Sequence, residues 1–113
     1  MREPIERLYD ILQAIEAIER FQHVDRETFE QDDMLQVWFV HHLRIIGEAA
    51  RTLPEDVRAT APEVPWKQII AMRNILVHSY FEIDTDIVWN TVQQHIPTLK
   101  ASIEALLRRL QGA

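Results

Sequence analysis

Residues 33–54 read DMLQVWFVHHLRIIGEAARTLP, and this stretch decides the fold. Leu35, Phe39, Leu43, Ile46, Ala50 and Leu53 recur at threes and fours, the spacing that lines up one face of a 3.6-residue helix. Asp33 suits a helix start, and Pro54 stops the helix because its ring disfavours the α conformation in the residue before it. One helix from about Asp33 to Leu53 follows. At 100° per residue, Trp38 and Ile45 fall about 100–120° from that inner face. They form a second apolar edge that needs either another helix of the same chain or a second subunit.

Upstream, Ile5, Leu8, Ile11, Leu12, Ile15 and Ile18 make one stripe, which predicts a helix from about Pro4, acceptable in a first turn, to Phe21. Residues 22–33 are polar and acidic and read as a loop with a short helical turn around Phe29. Downstream, prolines 54, 62 and 65 mark a connection, with room for one helical turn at Glu55 to Ala59. A third helix begins near Trp66 and carries Ile69, Ile70, Met72, Ile75 and Leu76 to about His78. A fourth starts at Asp84, a good N-cap, and runs from Ile87 to Leu110, kinked or split at Pro97, whose ring removes the bond to residue 93. No strand pattern competes and no internal repeat is present. The expected class is all-α, an antiparallel four-helix-type bundle with extra short helical turns.

The 113 residues suit one core, and with no cysteine, thiol catalysis, disulfides and thiolate metal sites are excluded. The longest apolar runs, Val37 to Val40 and Ile69 to Met72, are far below the ~20 residues needed to cross a bilayer. The start, Met1-Arg2-Glu3-Pro4, leads into a charged periodic segment, so no secretory signal and a cytoplasmic location are expected. The formal charge of −6 lies wholly in residues 1–33, which hold ten acids against four arginines. That segment is either a solvated face or a docking surface for a basic partner. Residues 34–113 balance at eight against eight, so the acidity does not veto a polyanion further along.

Five histidines invite a metal hypothesis. Helical metal sites place Glu-x-x-His or His-x-x-x-His on one face, and none of His23, His41, His42, His78 and His95 has such a partner. No metal and no cofactor is expected. There is also no Gly-rich phosphate loop and no Gly-x-Ser-x-Gly elbow. What remains is Arg73-Asn74-Ile75-Leu76-Val77-His78-Ser79-Tyr80 at the end of the third helix. From composition, an Arg and a His at this spacing arise by chance about 0.4 times in such a chain, and with the Tyr about 0.008 times.

The chemistry of the triple is coherent. Arg73 offers a permanent planar cation for a phosphate, and His78 an imidazole suited to moving a proton near neutral pH. Asn74 lies four residues before His78, on the same helical face, and is placed to orient the ring. Together they suit cleavage of RNA without metal: His78 assists attack of the 2′-hydroxyl on the adjacent phosphorus, and Arg73 stabilises the charge on the phosphoryl oxygens. DNA, lacking that hydroxyl, is spared. The same residues also admit a plainer reading. A histidine near a helix C-terminus complements the helix dipole, and Tyr80 can be a half-buried aromatic with its hydroxyl in water.

At these residues the chain resembles the HEPN superfamily, and within it the HepT-like toxins of two-gene toxin–antitoxin pairs. The likeness covers nearly the whole chain: Ile45-Ile46-Gly47-Glu48-Ala49-Ala50, the Leu53-Pro54 stop, Pro62-Glu63-Val64-Pro65-Trp66, Ile69 and Ile70 leading into Met72-Arg73-Asn74, and Asp84 to Trp89 with the later Pro97. The resemblance implies a single HEPN-like helical domain over residues 1–113. It implies a ribonuclease site at Arg73 and His78, supported by Asn74, in a cleft between two protomers of a homodimer that can assemble further. It also implies a cognate antitoxin, the minimal nucleotidyltransferase MntA, which silences the toxin by attaching AMP to Tyr80. The alternative is a non-catalytic HEPN module that presents substrates or nucleotides to the nucleotidyltransferase; a third is a purely structural helical partner.

One departure from the pattern is His41-His42-Leu43-Arg44, where relatives tend to carry Arg-x-Leu-Glu. His42 sits at the edge of the inner face and is expected to be a satisfied core histidine; His41 is expected at the surface or beside the dimer cleft. Under the resemblance Trp38 and Ile45 fit a subunit interface, and Gly47 adds to this by letting helices come close, at a cost of roughly 1 kcal/mol relative to Ala inside a helix.

Overall fold

The computed structural model describes residues 3–77 and 83–112. Among these residues every regular element is helical, the all-α class expected from the sequence. The first helix, α1 (Pro4–Glu19), has Pro4 in its first turn and buries Leu8, Ile11, Ile15 and Ile18 almost completely. It ends two residues before the expected Phe21. Backbone bonds from Phe21 to Ile18 (3.1 Å) and from Val24 to Phe21 (3.3 Å) tighten the exit into i to i+3 turns.

The acidic segment holds the short helical turn expected around Phe29. Asp25 accepts a hydrogen bond from the Thr28 backbone N–H at 2.7 Å and so caps α2 (Arg26–Gln31). Phe29 anchors this short helix: it is fully buried, 5.7 Å from the Phe39 ring and 5.3 Å from that of Trp89. Asp32 then caps α3 (Asp33–Thr52) by accepting from Leu35 N–H at 3.0 Å, and Leu53 turns extended ahead of Pro54. Gln36 is buried because its Nε2 donates to the Phe29 carbonyl at 3.0 Å and to the Glu30 carbonyl at 3.2 Å, satisfying the C-terminus of α2.

The proline-rich connection holds α4 (Glu55–Ala59) and is closed by Trp66, whose indole N–H is shared between the Arg58 and Ala61 carbonyls, both at 3.1 Å. Next come α5 (Trp66–Val77) and, after Asp84 caps it by accepting from Ile87 N–H at 3.2 Å, α6 (Thr85–Asn90). A π-helical turn over Thr91–His95 joins α6 to α7 (Ile96–Gly112). This turn is the form taken by the split expected at Pro97. Ile96 N–H reaches back to Thr91, and Pro97 has no N–H to offer the next carbonyl, that of Val92. Gln22 of the α1 exit fills the gap, its Nε2 donating to Val92 O at 2.7 Å, while Gln93 Nε2 returns a bond to Gln22 O at 2.9 Å.

In the core, α1 packs against α3 and α7, and α5 lies along α3. Between α5 and the α6–α7 limb runs a groove of about 430 Å³ floored by Leu43 and Ile46 of α3. Trp38 is spent inside the chain, its indole N–H donating to the Ala17 carbonyl at 2.8 Å and its ring meeting Phe21 edge-on at 5.7 Å. Ile45 is likewise packed on the core. The second apolar edge of α3 is therefore partly buried within this chain, Trp38 against the end of α1 and Ile45 against the core. No helix is long and apolar enough to cross a membrane among the described residues.

Candidate active site

The site is built where α5 crosses α3, and a missing side chain makes the crossing possible. A Cβ placed on Gly47 would stand 2.2 Å from Arg73 Cβ, 2.8 Å from its Cγ and 3.3 Å from its Cα. The first two separations are shorter than non-bonded carbon atoms tolerate, so residue 47 has to be glycine for α5 to lie this close. The close approach that the sequence suggested for Gly47 thus occurs within one chain, and what it admits is the stem of Arg73 itself.

Seated on Gly47, the Arg73 side chain remains one quarter exposed and turns its guanidinium towards the neighbouring Glu48. Nη2 meets Glu48 Oε2 at 2.9 Å, and Nη1 donates to Asn74 Oδ1 at 3.1 Å. The fork is held from two sides, with further N–H groups left to offer a ligand. Asn74 thus contacts Arg73, while the contact with His78 expected from the sequence falls on a residue outside the described ones. His78 and Tyr80 lie outside the described residues.

Glu48 is the residue that sequence reasoning passed over. Its other oxygen, Oε1, accepts from Arg51 Nη2 at 2.6 Å. The hydrogen bond from Arg51 comes first among the causes that hold the carboxyl below its ordinary range; the charges of Arg51, Arg73 and Arg7 add to it, against a smaller opposing effect of burial. Reciprocally, Glu48 raises the Arg51 guanidinium above its ordinary value. The available sequence signal was a glycine deep inside a strongly amphipathic helix, followed at once by an acid; nothing local said that residue 73 crosses there.

His41 is exposed, as expected. His42 corrects the sequence reading. Both of its ring nitrogens are buried without a hydrogen-bond partner, and the ring is held by aromatic contacts, 4.5 Å from Trp38 and 4.8 Å from His41. Burial, with the charges of His41 and Arg20 adding to it, lowers its pKa from the ordinary 6.5. The α5–α7 groove includes His95, Asn90 and Thr91 in its lining, but neither Arg73 nor Glu48. Among the described residues no three His, Cys, Asp or Glu side chains gather into a set fit to hold a metal ion.

The model of the family described as "Ribonuclease HepT-like" matches residues 11–106. The chain belongs to this family. It is 41% identical over 100 residues to a protein of Thermococcus cleftensis named "Probable ribonuclease HepT", covering 88% of this chain and 91% of that one. A protein of Caldanaerobacter subterraneus, "Putative RNase TTE0752", is 39% identical over 110 residues, 96% of this chain and 98% of its own. A third, from Methanocaldococcus jannaschii and named "Putative RNase MJ1380", is 40% identical over 98 residues, with 86% and 90% covered. No solved structure matches the chain. Family membership bears out the HEPN-related, HepT-like resemblance and brings with it the enzyme class, a ribonuclease.

Proposed function

We propose that this HepT-like ribonuclease is the toxin of a two-gene toxin–antitoxin pair, and that it cuts RNA without metal at a site made by Arg73 and His78. The observation that carries the reading is the preparation of Arg73, seated over Gly47 and gripped by Glu48 and Asn74 five residues before His78 in the chain. A guanidinium fixed in this way is arranged in advance for a phosphate whose charge grows in the transition state.

In the proposed reaction His78 takes the proton of the ribose 2′-hydroxyl as its oxygen attacks the adjacent phosphorus. The bond from phosphorus to the following nucleotide's 5′-oxygen breaks, that oxygen takes up a proton, and a 2′,3′-cyclic phosphate remains. Arg73 stabilises the phosphoryl oxygens throughout. The working unit is a homodimer that shares the cleft between protomers. Its inhibitor is a minimal nucleotidyltransferase that moves AMP from ATP to the Tyr80 hydroxyl, with pyrophosphate leaving. A phosphodiester attached two residues from His78 adds negative charge and bulk where RNA has to enter.

The reading is tested with purified protein and single-stranded RNA in excess chelator. The wild type is expected to release fragments ending in cyclic phosphate, and Arg73→Ala and His78→Ala to lose at least 100-fold in rate, the scale of a removed general base or charge stabiliser. Undiminished cleavage by His78→Ala would sink the site assignment. After co-expression with the neighbouring nucleotidyltransferase, mass spectrometry should find AMP on Tyr80; silencing with no such mass would leave complex formation as the inhibitory step.

A further inference from the structure

Glu48 faces more than one arginine. Arg51, one turn further along α3, reaches Oε1 at 2.6 Å, and Arg7, from α1, is near enough for its charge to act on the same carboxylate. Two guanidinium groups, Arg51 of α3 and Arg73 of α5, thus hold this one acid directly, and α1, packed against α3, brings the charge of a third within range. Glu6 and Asp10, which flank Arg7 along α1, are themselves engaged in interactions. The Arg51 and Glu48 side chains are 49% and 41% exposed, and an ion pair that open to water contributes little to stability. A fork that accepts a carboxylate oxygen accepts a phosphate oxygen equally well, with the same charge and donor geometry.

We propose that Arg51 and Arg7 are phosphate-binding residues of a track for single-stranded RNA. Arg73 takes the scissile phosphate, and the neighbouring phosphates on one side pass over Arg51 of α3 to Arg7 of α1. The inference rests on the ribonuclease reading and adds where the substrate lies. It selects unpaired RNA because the attacking 2′-oxygen has to swing into line with the leaving oxygen, which a stacked and paired nucleotide resists. It also fits an acidic protein. Three phosphate contacts give modest, salt-sensitive binding confined to one face, while the rest of residues 1–33 repels RNA.

The test uses a fluorescein-labelled, fully 2′-O-methylated RNA of a dozen nucleotides, which lacks the attacking hydroxyl and stays intact, titrated by fluorescence anisotropy over a salt series. For the wild type the log–log slope is expected near −2, from roughly 0.7 per neutralised phosphate on a single strand. Arg7→Gln and Arg51→Gln should each weaken binding about 5-fold and flatten the slope by about 0.7, whereas Arg51→Lys keeps the slope. Arg109→Gln is the control, since that exposed arginine also pairs with an acid, Glu63, at 3.4 Å. The proposal is overturned if both glutamine variants bind like the wild type, if Arg109→Gln weakens binding as much as they do, or if the wild type binds no RNA at 50 mM salt. Cleavage of the unmodified RNA is followed in parallel. A wild type that binds with the expected slope but does not cut removes the ribonuclease reading and leaves the track; one that cuts while both variants bind unchanged does the reverse.

Discussion

Gly47 sets the distance between α3 and α5, and its neighbour Glu48 sets the direction of Arg73. A methyl group at residue 47 meets the Arg73 stem at 2.2 Å, and that atom is attached directly to the α5 backbone, so the helices must part. Gly47→Ala is expected to cost about 1–3 kcal/mol in urea denaturation, the scale of overpacking, and to slow cleavage at least 10-fold by displacing the guanidinium. Glu48→Gln separates the two effects: it keeps the shape, loses the charge, and should slow cleavage while leaving the denaturation midpoint nearly unchanged. A wild-type rate in Glu48→Gln would show that the ion pair does not position Arg73. At His42 the consequence is one of stability. Its folded pKa lies below the ordinary 6.5, so the unfolded chain binds the proton more readily and stability is lost as pH falls from about 6.5 through the lowered value. His42→Leu removes both the unpaired nitrogens and this titration. It should stabilise by about 1 kcal/mol at pH 7.5 and by more at pH 5.5. An equal gain at both pH values would refute the burial argument. Arg73 stands out as a candidate from the spacing of Arg, His and Tyr, because that pattern is local. Glu48 does not, because its role depends on a contact 25 positions away in the chain, and His42 looked satisfied because helical phase gives burial and says nothing of partners.

At the scale of elements, the junction of α6 and α7 shows how a backbone defect is repaired from a distance. Ile96 bonds Thr91 across the π turn, Pro97 cannot bond Val92, and the orphaned Val92 carbonyl receives Gln22 Nε2 from the end of α1. Gln22→Ala is expected to destabilise by about 1–2 kcal/mol, the cost of a part-buried carbonyl left without its donor. Pro97→Ala restores an N–H at the right place, so in that background Gln22→Ala should cost clearly less. Two additive losses in the double-mutant cycle would refute this coupling. The principal helices were legible because their ends carry strong signals: Pro4, Pro54, Trp66 after Pro65, and Asp84. Two others were legible only in outline, for physical reasons. Residues 26–31 are polar on most faces, so α2 shows in the sequence only as a turn around its single anchor Phe29, and the Asp25 cap that fixes its start comes from the structure. A proline signals a break in a helix but does not choose between a kink and a π turn; Gln22, far away in sequence, completes that choice.

Across the whole molecule, several carboxylates of residues 1–33 hold the structure together. Asp25 and Asp32 are N-caps, Glu19 pairs with Lys100 at 3.0 Å, and Arg26 holds both Glu30 and Asp86. Part of what reads as a docking surface is thus helix capping and links from α1 and α2 to the C-terminal limb. The apolar surface gives a sharper test of the proposed dimer. With Trp38 and Ile45 used internally, the exposed face of α3 carries Met34, Val37, His41 and Arg44, which lie within about 80° of Glu48 around the helix. A cleft shared by two copies beside Arg73 would continue along this face, where Met34 is 78% and Val37 55% exposed. Val37→Lys should leave the fold intact, since the side chain touches little of the core. It should shift a dimer to monomer in light scattering at micromolar concentration and reduce cleavage in proportion, because two like charges would face each other across a two-fold axis. Dimers that persist with full activity would place the shared cleft on another face and leave Met34 and Val37 as ordinary solvent-exposed apolar residues.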